Sequence, residues 1–203
     1  MIAIVDYGLG NLKSVKCALD RLGEGAAVVS DRSEILAADG IVLPGVGAFW
    51  RAMQNLSDLG LLETMHEAGD SGKPVLGICL GLQLFFGESA EHGHHKGLNI
   101  IAGNVTRFAV GQKVPHMGWN EVQHENPSPL FEGIVDQSFF YFAHSYFVEP
   151  EDPGAVIGST DYGGRYASAV QKGRVFGVQF HPEKSGPAGL KLLMNFCRLC
   201  RRG

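Results

Sequence analysis

The chain has 203 residues, of which 45% are hydrophobic and 19% charged, with 28 glycines and a formal net charge of −4. That length and balance describe a globular domain able to bury a sizeable core, and they exclude long disordered tracts. The negative charge and the lack of a long Lys/Arg run argue against nucleic acid or an anionic membrane as partner.

The opening "MIAIVDYG" reads as a buried strand. It lacks a basic region and a cleavage site, and no apolar stretch reaches the roughly 18 residues of a membrane span, so a cytoplasmic location is expected. "GNLKSVKCALDRLG" follows as a helix, with Leu12, Val15, Leu19 and Leu22 at helical spacing and Gly23 closing it. "GAAVVS" and "GIVLPG" are short strands, and "AFWRAMQNLSDLGLLETMHEAG" carries helical periodicity up to the strand "PVLGIC". Strands alternating with helices predict a parallel sheet covered on both faces. After about Gly97 come short strands in "LNIIAGNVTRFAV", "HMGWNEVQ", "SFFYFAHSYFVEP", "AVIGSTDYG", "YASAVQKG" and "RVFGVQFHPE", partly antiparallel in expectation. "GLKLLMNFCRLCRR" closes the chain as an amphipathic helix. No repeat or clean linker interrupts residues 1–203, so one mixed α/β domain is the simplest reading, an open, mainly parallel sheet with helices on both faces.

Four cysteines, Cys17, Cys79, Cys197 and Cys200, are too few for a disulfide framework in a chain this long, and reduced thiols are expected. Cys79 stands apart. In "GICLG" a strand of small and branched residues turns sharply into a helix start, the arrangement of a nucleophile elbow with Cys in the place of Ser. Gly77 and Gly81 remove Cβ atoms where such a turn crowds backbone against backbone. The plain alternative is a small buried hydrophobe, the commoner state of a cysteine in an apolar strand.

A thiol nucleophile needs a base. In "VFGVQFHPEKS", period two places Phe176, Val178 and Phe180 on one face and Gly177, Gln179, His181 and Glu183 on the other. Pro182 permits a tight turn that lets Glu183 reach the imidazole and hold its tautomer. "LPGVGAF" adds a strand end and a glycine-rich turn whose N–H groups, around Val46 and Gly47, could receive a developing oxyanion. Each stretch alone is weak, since "HPE" also reads as an exposed turn and Gly-x-Gly as a loop into a helix; the set makes Cys-His-Glu chemistry plausible.

The combination resembles the class I glutamine amidotransferases, whose elbow reads G-x-C-x-G and whose later motif is H-P-E. Within them it is similar to the glutaminase subunits of imidazole glycerol phosphate synthase in histidine biosynthesis, through "DYGLGNLKSV", "LPGVGAF", "GICLGLQLFF", "KGLNII", "PHMGWN", "YFAHSYF" and "FHPEKS", in order along nearly the whole chain. The resemblance implies a flavodoxin-like fold, with Cys79 as nucleophile, His181 as base and then acid, and Glu183 as its orienting partner. It also implies an oxyanion strand at Val46 and Gly47, and glutamine binding at Gln83, Glu91, Ser145 and Tyr146. Trp119, Tyr141 and Lys184 match motifs that face a partner near the ammonia exit. That partner is a (β/α)8-barrel cyclase forming a heterodimer; it uses the ammonia to release imidazole glycerol phosphate and AICAR from a ribulosyl-aminoimidazole intermediate. No cofactor or metal is implied. Leu82 departs from a frequent Met and Gly87 from a usual polar residue, both away from the chemistry.

Other features have plainer readings. "CRLC" places Cys197 and Cys200 as i,i+3 neighbours on a helix, and His92, His94 and His95 read as a solvated loop. His116 positions local structure, and His144 belongs to "HSYF"; neither is the expected base. Two alternatives to the cyclase-coupled glutaminase stay open: a glutaminase serving another biosynthetic acceptor, and a non-catalytic flavodoxin-like regulatory protein that keeps the elbow.

Overall fold

The apolar runs form strands buried on both faces, because alternate side chains leave to opposite sides of one sheet. The computed structural model describes residues 1–201. Its first half contains β1 (Ile2–Val5), α1 (Leu12–Arg21), β2 (Ala26–Val29), α2 (Arg32–Ala37), β3 (Gly40–Gly45), α3 (Phe49–Asp58), α4 (Leu62–Asp70), β4 (Val75–Cys79) and α5 (Leu80–Leu84). Two short strands follow, β5 (Glu88–Ser89) and β6 (His95–Lys96), then β7 (Gly103–Arg107), β8 (His116–His124), β9 (Ser138–His144) and β10 (Tyr146–Pro150). The chain ends with β11 (Val156–Asp161), β12 (Arg165–Lys172), β13 (Val175–Val178) and α6 (Gly186–Cys200).

β2, β1, β3, β4 and β13 lie side by side in that order, every pair parallel. Beyond β13 the sheet continues through β12, β10 and β7 in antiparallel pairs, while β11 connects β12 to the β8–β9 ladder. This is the flavodoxin-like open α/β sheet expected from the sequence. Ala3, Val5, Ile41, Leu43 and Val75 point to the core under α2, α3, α4 and α5. Ile2, Ile4, Val42, Leu76 and Ile78 point the other way, to Leu19 of α1 and Leu192 and Phe196 of α6. Each such fully buried aliphatic or aromatic side chain contributes about 1.5–3 kcal/mol. No helix among the described residues is long and apolar enough to cross a membrane.

Several boundaries differ from expectation. The periodic stretch 48–69 is two helices: Gly60 takes φ +66°, its N–H bonds to Ser57 O at 2.9 Å and that of Leu61 to Leu56 O at 2.8 Å, a Schellman close of α3. α2 was not foreseen, although Asp31 caps it by accepting from the Ser33 and Glu34 amides. "SFFYFAHSYFVEP" is broken at Ser145 into β9 and β10, "LNIIAGNVTRFAV" contributes only Gly103–Arg107, and the strand leading to "HPE" ends at Val178. The His-rich loop closes into the two-residue β5–β6 ladder. α6 begins at Gly186, ahead of the expected Gly189, and the expected last residue, Arg202, lies outside the described residues. Cys197 and Cys200 sit on its buried face, where burial pushes both thiols up to about 12.

Candidate active site

β3, β4 and β13 end side by side, with Gly45 opposite Cys79 and Val178 opposite Ile78. The C-terminal ends of adjacent parallel strands are where an α/β sheet leaves a crevice, and the three motifs leave from these three ends. At Cys79 the chain passes from β4 straight into α5 with φ 55° and ψ −108°. That left-handed backbone costs about 1–3 kcal/mol in a residue with a Cβ, and the close packing around it sustains it. A Cβ on Gly81 would lie 1.8 Å from the Leu43 carbonyl oxygen, and one on Gly77 would lie 2.5 Å from Phe85 Cε2. Both glycines flanking the cysteine are therefore required by space.

His181 and Glu183 come together at the end of β13, both almost fully buried, with His181 Nδ1 2.9 Å from Glu183 Oε1. A single turn of 3-10 helix, Pro182–Lys184, makes this i,i+2 contact possible. The carboxylate accepts from Nδ1, which leaves Nε2 as the ring nitrogen available to the thiol. Burial alone would lower the His181 pKa, but the hydrogen bonds to Cys79 and Glu183 outweigh it and raise the value to about 9. A histidine whose folded pKa exceeds its unfolded value of about 6.5 adds stability that is complete below that pH. The contribution is lost as pH rises through about 9. Glu183→Gln is expected to lower the imidazole midpoint read by proton NMR and to flatten the fall in melting temperature across that window; an unshifted midpoint would deny the carboxylate its effect.

In front of Cys79 opens a cleft of about 200 Å³. It gathers Val46, Gly47, Gln83 and Glu91 from one side and Ser145 and Tyr146 from the β9–β10 break on the other. Gly47 takes φ +106° in the turn after β3. Glu91 Oε2 accepts from the Phe49 amide at 2.5 Å, so this carboxylate also caps α3, whose own N-cap, Ala48, offers no side-chain acceptor. Gln83 Nε2 donates to the Tyr146 carbonyl at 2.9 Å. The same carbonyl lies 2.8 Å from His144 Nδ1, and His144 Nε2 meets Tyr166 Oη at 3.1 Å and His116 Nδ1 at 3.2 Å. Burial pushes His144 down to about 3 and His116 to about 4, so both imidazoles are neutral near pH 7. Neither is a base poised for the thiol, in line with the sequence reading. Sequence reasoning assigned no role to Gln179, which touches the Cys79 sulfur, though period two had placed it on the His181 face.

Trp119, Tyr141 and Lys184 gather on the outer surface, away from the cleft lining. Trp119 pairs with Tyr141 across β8–β9, their rings 6.2 Å apart, and Lys184 Nζ lies 5.9 Å from the Tyr141 ring. Met117 and Phe139 extend this apolar surface, Trp119 and Phe139 each more than half exposed. The Tyr141 carbonyl accepts from the His181 amide at 2.8 Å, so the patch and the buried imidazole share a backbone contact.

A family model described as "Glutamine amidotransferase class-I" matches residues 3–200. The "Imidazole glycerol phosphate synthase subunit HisH" of Moorella thermoacetica is 52% identical over 200 residues, covering 98% of this chain and 95% of that protein. The protein of the same name from Desulfitobacterium hafniense (strain DSM 10664 / DCB-2) is 51% identical over 196 residues, covering 97% of this chain and 93% of that one. Among solved structures, a "glutamine amidotransferase" superposes with a TM-score of 0.78 at 20% identity, covering 99% and 100% of the two chains. "PurLQS from Thermotoga maritima" gives a TM-score of 0.75 at 20% identity and 97% of each chain. At that identity the structures speak for the fold alone.

Proposed function

The chain belongs to the class I glutamine amidotransferase family, and from that premise we propose that it is a glutaminase subunit of imidazole glycerol phosphate synthase, one domain over residues 1–203 with Cys79, His181 and Glu183 as its catalytic triad. The observation that carries this reading is the buried His181–Glu183 pair beside a strained Cys79 that borders an open cleft.

The chemistry follows from the placement. The thiol proton rests on His181, in keeping with its raised pKa, and the Cys79 thiolate attacks the side-chain carboxamide carbon of glutamine. The tetrahedral oxyanion is held by the amides around Val46 and Gly47. Collapse breaks the C–N bond as the imidazolium gives its proton to nitrogen, releasing ammonia and leaving a γ-glutamyl thioester. Water, deprotonated by His181, attacks the thioester; glutamate leaves and the returning proton restores the thiol. The Gln83 carboxamide, with its nitrogen committed to the Tyr146 carbonyl, keeps Oε1 as an acceptor for the substrate ammonium group. Glu91, Ser145 and Tyr146 complete the walls.

Ammonia released into bulk water is protonated and loses its nucleophilicity, so a partner must receive it under cover. The partner we assign is the barrel cyclase that makes imidazole glycerol phosphate and AICAR, docked on the Trp119, Tyr141 and Lys184 surface. A patch with exposed Trp, Met and Phe and a half-buried Tyr around one cation has the composition of an interface core. The test is glutamate release from glutamine by the isolated chain and by the chain with a cyclase subunit and its ligand. Slow turnover alone and a strong rise in the complex is expected. Equal turnover without the partner would remove the coupling, and no turnover in either case would favour a non-catalytic protein.

A further inference from the structure

Gln179 follows β13, fully buried, with its backbone N–H bonded to Ser168 O at 2.8 Å. Its side chain spans two groups of the site: Nε2 lies 3.6 Å from Cys79 Sγ, and Oε1 lies 3.1 Å from Gln83 Nε2. Which end of an amide is nitrogen is set by its partners, and here a backbone atom decides. The Tyr146 carbonyl can only accept, so Gln83 must turn its NH₂ towards it. The second proton of that NH₂ then meets the Gln179 oxygen, and the Gln179 nitrogen is left facing the sulfur. A donor held against sulfur in a dry site favours the charged form of the thiol. Gln179 and His181 both act on this sulfur from the short stretch just past the end of β13.

We propose that Gln179 is a positioning and thiolate-stabilising donor to Cys79, oriented by the chain Tyr146 carbonyl, Gln83, Gln179; this rests on Cys79 being the nucleophile. Its role differs from that of His181. The imidazole gains and loses a proton in each half-reaction, whereas the amide keeps its N–H throughout, so the sulfur retains one fixed donor both when it attacks and when it leaves the thioester.

The test uses the full chain as Gln179→Met, close in length but without the donor, and as Gln179→Glu, which keeps an acceptor for Gln83 and replaces the N–H by oxygen. Iodoacetamide labelling of the Cys79 peptide is followed by mass spectrometry against pH, so that the exposed Cys17 does not interfere. In Gln179→Met the midpoint of labelling is expected to rise by about one to two pH units, since hydrogen bonds to charged groups are worth that much. Gln179→Glu is expected to shift it further. With the cyclase subunit present, kcat for glutamine should fall about tenfold or more with KM within about threefold, the pattern of a lost transition-state contact. A role in packing alone would lower the melting temperature and leave the labelling midpoint in place. An unchanged midpoint in either folded variant, while Cys79→Ala is inactive, overturns the role of Gln179 and leaves the proposed function standing. Glutamine hydrolysis persisting in Cys79→Ala removes the nucleophile itself, and this inference with it.

Discussion

Cys79→Ala is expected to lower glutamine hydrolysis by about 10⁴-fold or more, the usual scale for removing the nucleophile of a covalent mechanism. The fold should survive, because the side chain is 5% exposed and contributes little volume, and the backbone of the elbow is held by α5 and β3 rather than by the sulfur. Three readouts separate the loss of chemistry from damage elsewhere. Glutamate release from glutamine should vanish. The variant should still bind the cyclase, since the proposed docking surface at Trp119, Tyr141 and Lys184 is untouched. The cyclase should still make imidazole glycerol phosphate when free ammonia is supplied. Glutamate release at the wild-type rate would eliminate Cys79 as nucleophile, whatever the other two measurements gave.

Much of this site was legible because its parts are local. The elbow is written in five consecutive residues, and the His181–Glu183 contact spans only Pro182. Both depend on backbone geometry that Gly and Pro impose on their neighbours, which is the kind of constraint a sequence states openly. The sheet was legible for the same reason, since strands buried on both faces must be apolar at every position. What the sequence hid depends on contacts between distant segments. The direction of the Gln179 amide is decided through Gln83 by the Tyr146 carbonyl, and these groups come together because β10 and β13 both pair with β12. The neutrality of His116 and His144 comes from burial among Phe108, Phe142 and Tyr166, packed from separate strands and loops. The split at Gly60 was visible as a glycine, but the apolar period runs on through Leu61, Leu62 and Met65, and period alone cannot register a helix that stops and restarts in phase.

Gly81→Ala is expected to be the most damaging single-carbon change in the protein. The added Cβ would sit 1.8 Å from the Leu43 carbonyl oxygen and 2.8 Å from its carbon, both backbone atoms of a strand fully buried on its two faces. A flexible side chain could swing aside; β3 cannot, because it pairs with β1 on one edge and β4 on the other. The strain must therefore be taken by α5, which would have to lift from the sheet and carry Cys79 with it. Overpacking of this severity costs about 3 kcal/mol or more, which for a chain of this size corresponds to a fall in melting temperature of roughly 10 °C. Displacing the sulfur by about 1 Å costs about 100-fold in rate even in molecules that remain folded. Gly25→Ala is the matched control, because a Cβ there meets nothing within 4 Å. Thermal melts and glutaminase assays on the pair should show loss in the first and little change in the second. A Gly81→Ala protein that melts with the wild type would mean that α5 has room to move off β3, and the strained backbone of Cys79 would then need another cause than the close approach that now holds it.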